Sequence, residues 1–231
     1  MPPALSLVEW APSYRIVPSR FPPIQLFERV AAAEDLDAVF QIEGMTNDRL
    51  RDEVGDLALV PPQERISGLG TSCIMAAFTH LKPGGDRFTD GSYGVYYCSS
   101  DLKTAIEETK FHRAQFLSYT REPPLEVDMR VYLSDLAAEL HDVRGLAADF
   151  PQVYHPSDYT ASQAFAAPLR AQGAWGIVYD SVRRAGGQCA AVFRPKAFPQ
   201  GGAHCRQSLH LTYVWDGARI AEVFEKRALD L

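Results

Sequence analysis

The sequence predicts an α+β fold in a single domain, and three observations carry that expectation. Leu125-Glu-Val-Asp-Met-Arg-Val-Tyr-Leu133 alternates apolar and polar side chains without a slip, as a strand with one buried face does. Gly186-Gly187 and Asp216-Gly217 sit between apolar runs and mark hairpin turns toward the C-terminus. Leu102, Ala105, Ile106, Thr109, Phe116 and Leu117 recur at helical spacing and make one mostly apolar stripe. Helices and short strands interleave without the regular alternation of a parallel sheet, so the class is mixed α and β. With 231 residues, 46% of them hydrophobic, the chain is long enough to bury a large core. Residues 1–231 are read as one domain.

Residues 14–23, Tyr-Arg-Ile-Val-Pro-Ser-Arg-Phe-Pro-Pro, read as a short strand ending in a proline-stiffened turn. Residues 34–54 carry a helical pattern with Leu36, Val39, Phe40 and Leu50 on the core side, and 57–72 are irregular, with two prolines and two glycines. Together, 34–72 form an extra N-terminal helical and irregular segment. Cys73-Ile-Met-Ala-Ala-Phe78 is short and apolar, which suits a buried strand. A glycine-rich loop follows, then an aromatic and β-branched strand over 93–98. Ser99, Ser100 or Asp101 then caps the helix that carries the apolar stripe, through a side-chain oxygen accepting first-turn amides. Beyond the alternating strand, Ser157 is expected to cap a helix to about Gly173, with Tyr159, Phe165 and Leu169 inward and Pro168 disturbing its last turn. Strands over 175–179, 190–193, 209–215 and 220–224 complete the chain.

Composition removes several function classes. No run of about 18 apolar residues occurs, so no membrane span is expected. The first residues have neither the basic nor the apolar section of a secretory signal. Cys73, Cys98, Cys189 and Cys205 are scattered without a Cys-x-x-Cys pair, which suits reduced thiols and a cytoplasmic protein. A net charge of −6 argues against direct nucleic-acid binding but permits a local cationic pocket. His204, Cys205, His210 and Cys189 fit no standard zinc spacing, so no metal is expected. No Gly-x-Ser-x-Gly elbow, P-loop or helix-opening Gly-x-Gly-x-x-Gly is present.

The stretch from Gly84 to His112 gathers a cation, phenols, a carboxylate and an imidazole: Arg87, Tyr93, Tyr97, Glu108 and His112. Its glycines allow tight turns and close approach of a ligand to the main chain. At about 100° per residue, Glu108 falls on the shoulder of the apolar stripe with His112 one turn on, while Glu107 falls toward the opposite flank. A shoulder position can be half-buried and still face a cleft, which favours Glu108 as the site acid. Each residue alone has an ordinary reading: an ion-paired helix face, a core tyrosine, a turn serine. Only the joint pattern points to a site.

That joint pattern resembles the RES-domain family, named for an arginine, a glutamate and a serine. The resemblance rests on Arg87-Phe88 in a glycine-bounded loop, Gly94-Val-Tyr-Tyr97, Leu102-x-Thr-Ala-Ile-x-Glu108-Thr with His112 four on, and Gly176-Ile-Val-Tyr-Asp-Ser181-Val-Arg183 followed by Ala191-Val-Phe-Arg-Pro195. It covers roughly residues 10–217. It implies a fold related to the ADP-ribosyltransferases, with small sheets flanking an NAD cleft, and an enzyme that cleaves the nicotinamide–ribose bond of NAD by phosphorolysis or hydrolysis. Several characterised members are toxins of toxin–antitoxin pairs, so an Xre-like antitoxin partner is implied as well.

NAD is then a substrate, with phosphate as an optional co-substrate, and no prosthetic group is expected. Alternatives are ADP-ribosyl transfer to a protein, and a nucleotide- or partner-binding module without turnover. Oligomeric state stays open, a homo-oligomer included. By the resemblance, Glu108 stabilises the charge that builds on the ribose, Arg87 grips the pyrophosphate and Tyr97 stacks on nicotinamide or orients the ribose. Ser181 donates its hydroxyl to nicotinamide or phosphate, and His112 bonds Glu108 or senses pH near neutrality. Arg20 is a weaker candidate for a phosphate contact, with Arg15 as its rival for the N-terminal arginine.

Overall fold

The structure is a computed structural model that describes residues 2–19, 55–199 and 205–227. The expected helix over 34–54, Arg20 and His204 lie outside those residues. Seven strands and three α-helices are described: β1 (Leu5–Pro18), α1 (Ser72–Thr79), β2 (Tyr96–Ser99), α2 (Leu102–Thr120), β3 (Leu125–Asp142), α3 (Thr160–Ala171), β4 (Gly176–Asp180), β5 (Gln188–Val192), β6 (Cys205–Trp215) and β7 (Ile220–Lys226). Residues 57–72 hold two single 3₁₀ turns, in keeping with the irregular segment expected there.

The strands form one seven-stranded sheet in the order β1-β2-β5-β4-β3-β6-β7, with a further β1–β3 pairing that joins the first five strands in a ring. This corrects the expectation of small separate sheets. The reason is β3, whose alternation continues past Leu133: Ser134, Leu136, Ala138 and Leu140 are buried while Asp135, Ala137 and Glu139 are exposed. A strand that long pairs with β6 over its first half, with β1 along most of its length, and in parallel with β4 at His141–Asp142. What would otherwise be two sheets is thereby continuous.

Three further expectations are overturned. Residues 73–78 form helix α1 rather than a strand. Ile74, Met75, Ala77 and Phe78 are all buried, and a short helix buried on every side shows no amphipathic period by which to tell it from a strand. Cys73 and Cys205 are joined in a disulfide between α1 and β6, while Cys98 and Cys189 are free and buried, so only half of the cysteines match the reduced set expected. Ser157 does not cap α3: its amide and that of Asp158 donate to His155 Nδ1, and the helix begins at Thr160 after Tyr159.

Helix α2 matches the expected phase. Asp101 Oδ1 accepts the Thr104 amide at 3.0 Å, and Arg121 ends the helix in the left-handed region at φ 53°. Its inward face packs Ala105 and Leu117 against Met129, Val131, Leu211, Tyr213 and Trp215 of β3 and β6. Trp215 Nε1 donates to the Glu122 carbonyl at 3.0 Å, tying the end of the helix to the sheet. Among the described residues no helix is long and apolar enough to cross a membrane.

Candidate functional site

The glycine-rich loop, α2 and the β4–β5 turn meet at one cleft. In the loop, Asp86 and Thr89 exchange backbone hydrogen bonds, closing a tight turn with Arg87 and Phe88 at its tip. Gly85 takes φ +68°, and a Cβ there would lie 1.8 Å from the Thr89 carbonyl oxygen. The space this glycine frees is thus filled by the loop's own backbone and not by a ligand, as the sequence had suggested. Gln163 of α3 donates to the carbonyls of Gly84, Asp86 and Thr89 and pins the loop in place.

The β4–β5 turn is held against the start of α2 in a similar way. A Cβ on Gly187 would meet Thr104 Oγ1 at 2.5 Å, so glycine is what lets the turn approach the helix. Arg184 Nη1 donates to Thr104 Oγ1 at 2.9 Å and to the capping carboxylate of Asp101 at 3.2 Å. Docked there, Ser181 Oγ donates to Glu108 Oε1 at 2.6 Å while accepting the amides of Arg183 and Arg184, each at 3.1 Å. Cys189 Sγ approaches the same carboxylate oxygen at 3.8 Å. One oxygen of Glu108 is therefore held from behind, and Oε2 has no protein partner among the described residues.

Glu108 lines a cleft of about 420 Å³ together with Arg15, Lys82, Asp86, Arg87, Tyr97 and His112. The structure thus brings Arg87, Tyr97, Glu108 and His112 to one cleft, with Ser181 behind the acid. The expectation that Ser181 offers its hydroxyl to a ligand is corrected, because that proton is committed to Glu108.

Arg87 is only 7% exposed, and its Nη1 donates to the carbonyls of Val153 and His155 at 2.8 and 3.0 Å. Its guanidinium carbon lies 4.8 Å from the ring centre of Tyr159. That side chain, expected inside a helix, instead lines the cleft just ahead of α3. Phe88 is fully buried and packs edge-on against Tyr179. Tyr97 is fixed by the Phe88 amide donating to its hydroxyl at 3.1 Å, and burial raises its phenol well above the usual range.

Burial pushes His112 down to about 4, with the charges of Lys82, Arg183 and Arg87 acting in the same direction against Asp86. It is neutral at pH 7 and makes no hydrogen bond to Glu108 among the described residues, so neither role expected for it is realised. Its ring meets Phe111 edge-on at 5.5 Å.

Between the two N-terminal arginines, Arg15 is the one the described residues place at the cleft. Its Nη1 donates to the Tyr97 carbonyl at 3.0 Å, and its guanidinium lies 4.5 Å from the ring centre of Tyr96. Sequence reasoning weighted Arg20 because prolines flank it. The signal for Arg15 is its place inside a strand, two residues from the buried Ser13 and beside the buried Ile16. Lys82 and Asp86 carried no expectation from the sequence, and Tyr159 was expected to pack inward rather than to line the cleft. Lys82 and Asp86 form an ion pair at 2.5 Å across the glycine-rich turn, a contact made by the turn itself that no helical spacing announces.

Fold and site together define an α+β protein in which a carboxylate held by a serine faces a cleft rich in arginine. The chain belongs to the RES-domain family, whose family model, described as RES domain, matches residues 62–216. An uncharacterized protein, y4oC, of Sinorhizobium fredii (strain NBRC 101917 / NGR234) is 31% identical over 215 residues, spanning 91% of this chain and 86% of the relative. Among solved structures, the crystal structure of the M. tuberculosis MbcT–MbcA toxin–antitoxin complex aligns at a TM-score of 0.43 with 12% identity, over 92% of this chain and 88% of that one.

Proposed function

We propose that this protein cleaves the bond between nicotinamide and ribose in NAD, with phosphate or water as the acceptor. The observation that carries the reading is the 2.6 Å hydrogen bond from Ser181 Oγ to Glu108 Oε1, which fixes the carboxylate while its second oxygen is left for the cleft. Family membership supports it, and so do the cations of Arg15 and Arg87 along the same cleft.

The leaving group explains why one acid is enough. Nicotinamide is a cationic pyridinium while bound to the sugar; it takes the bonding electron pair and departs neutral, so it needs no general acid. The barrier lies in the positive charge that builds at the ribose C1, as in glycosidase transition states. A carboxylate aimed at that sugar stabilises the transition state more than the ground state. Glu108 takes that role and Ser181 acts through it as a positioning residue. An oxygen of phosphate or water then bonds to C1, giving ADP-ribose phosphorylated at that carbon, or ADP-ribose and a proton. Arg15 and Arg87 offer guanidinium donors to the pyrophosphate, and Tyr97 presents an aromatic face to the cationic ring.

The biological role we attach to this chemistry is that of the toxin of a toxin–antitoxin pair, restrained by a protein partner that blocks the cleft. Incubating the purified chain with NAD, with and without phosphate, and following free nicotinamide tests the reaction. Release that depends on the chain is expected, and its phosphate dependence names the acceptor. No release at high protein concentration in either condition would remove the proposal. Labelled NAD with cell extract separates the rival enzymatic reading, since label retained on protein would point to ADP-ribosyl transfer instead.

A further inference from the structure

Helix α2 runs along the cleft well beyond Glu108. Ala105, Glu108, His112, Gln115, Phe116 and Tyr119 all line it, because steps of three and four residues return to one face of a helix. Glu108 and Tyr119 are eleven residues apart, which is about 16 Å along the axis and within roughly 20° around it. At the far end, Tyr119 is 78% exposed and Phe116 38% exposed. Arg113 lies between the two ends and also lines the cleft, its guanidinium carbon 5.0 Å from the centre of the Phe116 ring.

A single exposed tyrosine is ordinary on a protein surface. Tyr119 differs in standing on the same face as the site acid, at the mouth of the same cleft. It packs in none of the buried clusters and makes no hydrogen bond among the described residues. From the inner end outward, the helix presents a carboxylate, a cation and an exposed aromatic pair. An extended dinucleotide presents the complementary groups in the same order: the sugar that becomes electron-poor, the pyrophosphate and the purine.

We propose that Tyr119, flanked by Phe116, is the platform on which the purine of the substrate stacks, and that it sets a preference for a dinucleotide over a mononucleotide. Stacking needs an aromatic face and little else, so the platform reads the presence of a base more than its identity. This inference rests on NAD being the substrate. It places the NAD chain along α2, with the scissile bond at the inner end and the base at the rim.

The test titrates the full chain with adenosine 5′-monophosphate by calorimetry, and measures kcat/KM on NAD and on nicotinamide mononucleotide. Tyr119→Ala is expected to weaken AMP binding about tenfold, while Tyr119→Phe stays within about twofold of the parent, since the ring and not the hydroxyl does the stacking. The kcat/KM preference for NAD over the mononucleotide is expected to fall about tenfold in Tyr119→Ala. Absence of AMP binding by the parent chain, equal AMP affinity in parent and Tyr119→Ala, or a proportional loss on both substrates would overturn the platform. AMP binding involves no bond cleavage. A chain that binds AMP through Tyr119 but releases no nicotinamide from NAD would uphold the platform and overturn the proposed reaction.

Discussion

In the proposed reaction Glu108 and Ser181 divide one task, and substitution separates their shares. Glu108→Gln keeps the shape and loses the charge, so nicotinamide release is expected to fall about 10²–10³-fold, the usual effect of removing one preorganised group. Ser181→Ala leaves the charge and removes its anchor. A hydrogen bond to a charged group contributes roughly 1.5–3 kcal/mol, so kcat should drop about 10–100-fold with KM little changed. Single-turnover rates on NAD with both variants check this, and a Ser181→Ala enzyme as fast as the parent would remove the positioning role. Helical phase favoured Glu108 over Glu107 as the acid facing a cleft, and Glu108 is the one that lines it. The partner of Glu108 was not legible in the same way, because Ser181 lies 73 residues away and only the docking of the β4–β5 turn brings the two together.

His112 was legible as a cleft residue but not in its protonation. Its folded pKa of about 4 lies below the ordinary 6.5 because burial and three nearby cations penalise the imidazolium. Between those two values the unfolded chain binds the extra proton. Stability is therefore full above pH 6.5 and declines as pH falls toward 4, by on the order of 3 kcal/mol at the limit. Denaturant melts across that window should show the decline in the parent and a flatter profile in His112→Gln. Parallel profiles would show that His112 does not carry the effect.

At the scale of elements, the site depends on the backbone of the β4–β5 turn lying directly against the Thr104 side chain of α2. Gly187 is the point of contact, where a Cβ would intrude on Thr104. Gly187→Ala is expected to push the β4–β5 turn off the start of α2, loosening the clamp of Arg184 on Asp101 and Thr104 and drawing Ser181 away from Glu108. The expected result is a loss of about 1–3 kcal/mol of stability from overpacking, together with a fall in kcat like that of Ser181→Ala. Thermal melts and turnover on the same preparation check both halves. Strand alternation and cap chemistry made β3, the β4–β5 and β6–β7 hairpins and α2 readable in the sequence, since those signals are local. Helix α1 was not, because burial on every side erased the period that separates helix from strand. The single sheet was missed as well, because β3 reaches three partners and its second half, Ser-Asp-Leu-Ala-Ala-Glu-Leu, carries residues that suit helices.

For the whole molecule, charge is distributed against the average. The chain carries a net −6, yet the cleft is lined by four cations, Arg15, Lys82, Arg87 and Arg113, against two acids, Asp86 and Glu108. A concave site of one sign, walled by low-dielectric protein, focuses its field outward and attracts ligands of opposite sign even when the molecule as a whole repels them. NAD is anionic through its pyrophosphate, so the cleft should draw it in against the overall field. Both contributions are screened by salt, but unequally. The dispersed surface acids act over distances longer than the Debye length, about 10 Å at 0.1 M, while the cleft cations act within it. Raising ionic strength from low to about 0.1 M should therefore relieve the overall repulsion first and change KM for NAD little. A further increase to about 1 M, where the length falls to about 3 Å, should weaken the cleft contacts and raise KM while kcat holds. Replacing Arg15 with glutamine should flatten that second rise, because one of the charges that salt would screen is already gone. A KM that stays constant to 1 M salt in the parent would mean that the cations of this cleft are spent on the protein's own carbonyls and rings, as Arg87 already is in part, and do not reach the substrate's phosphates.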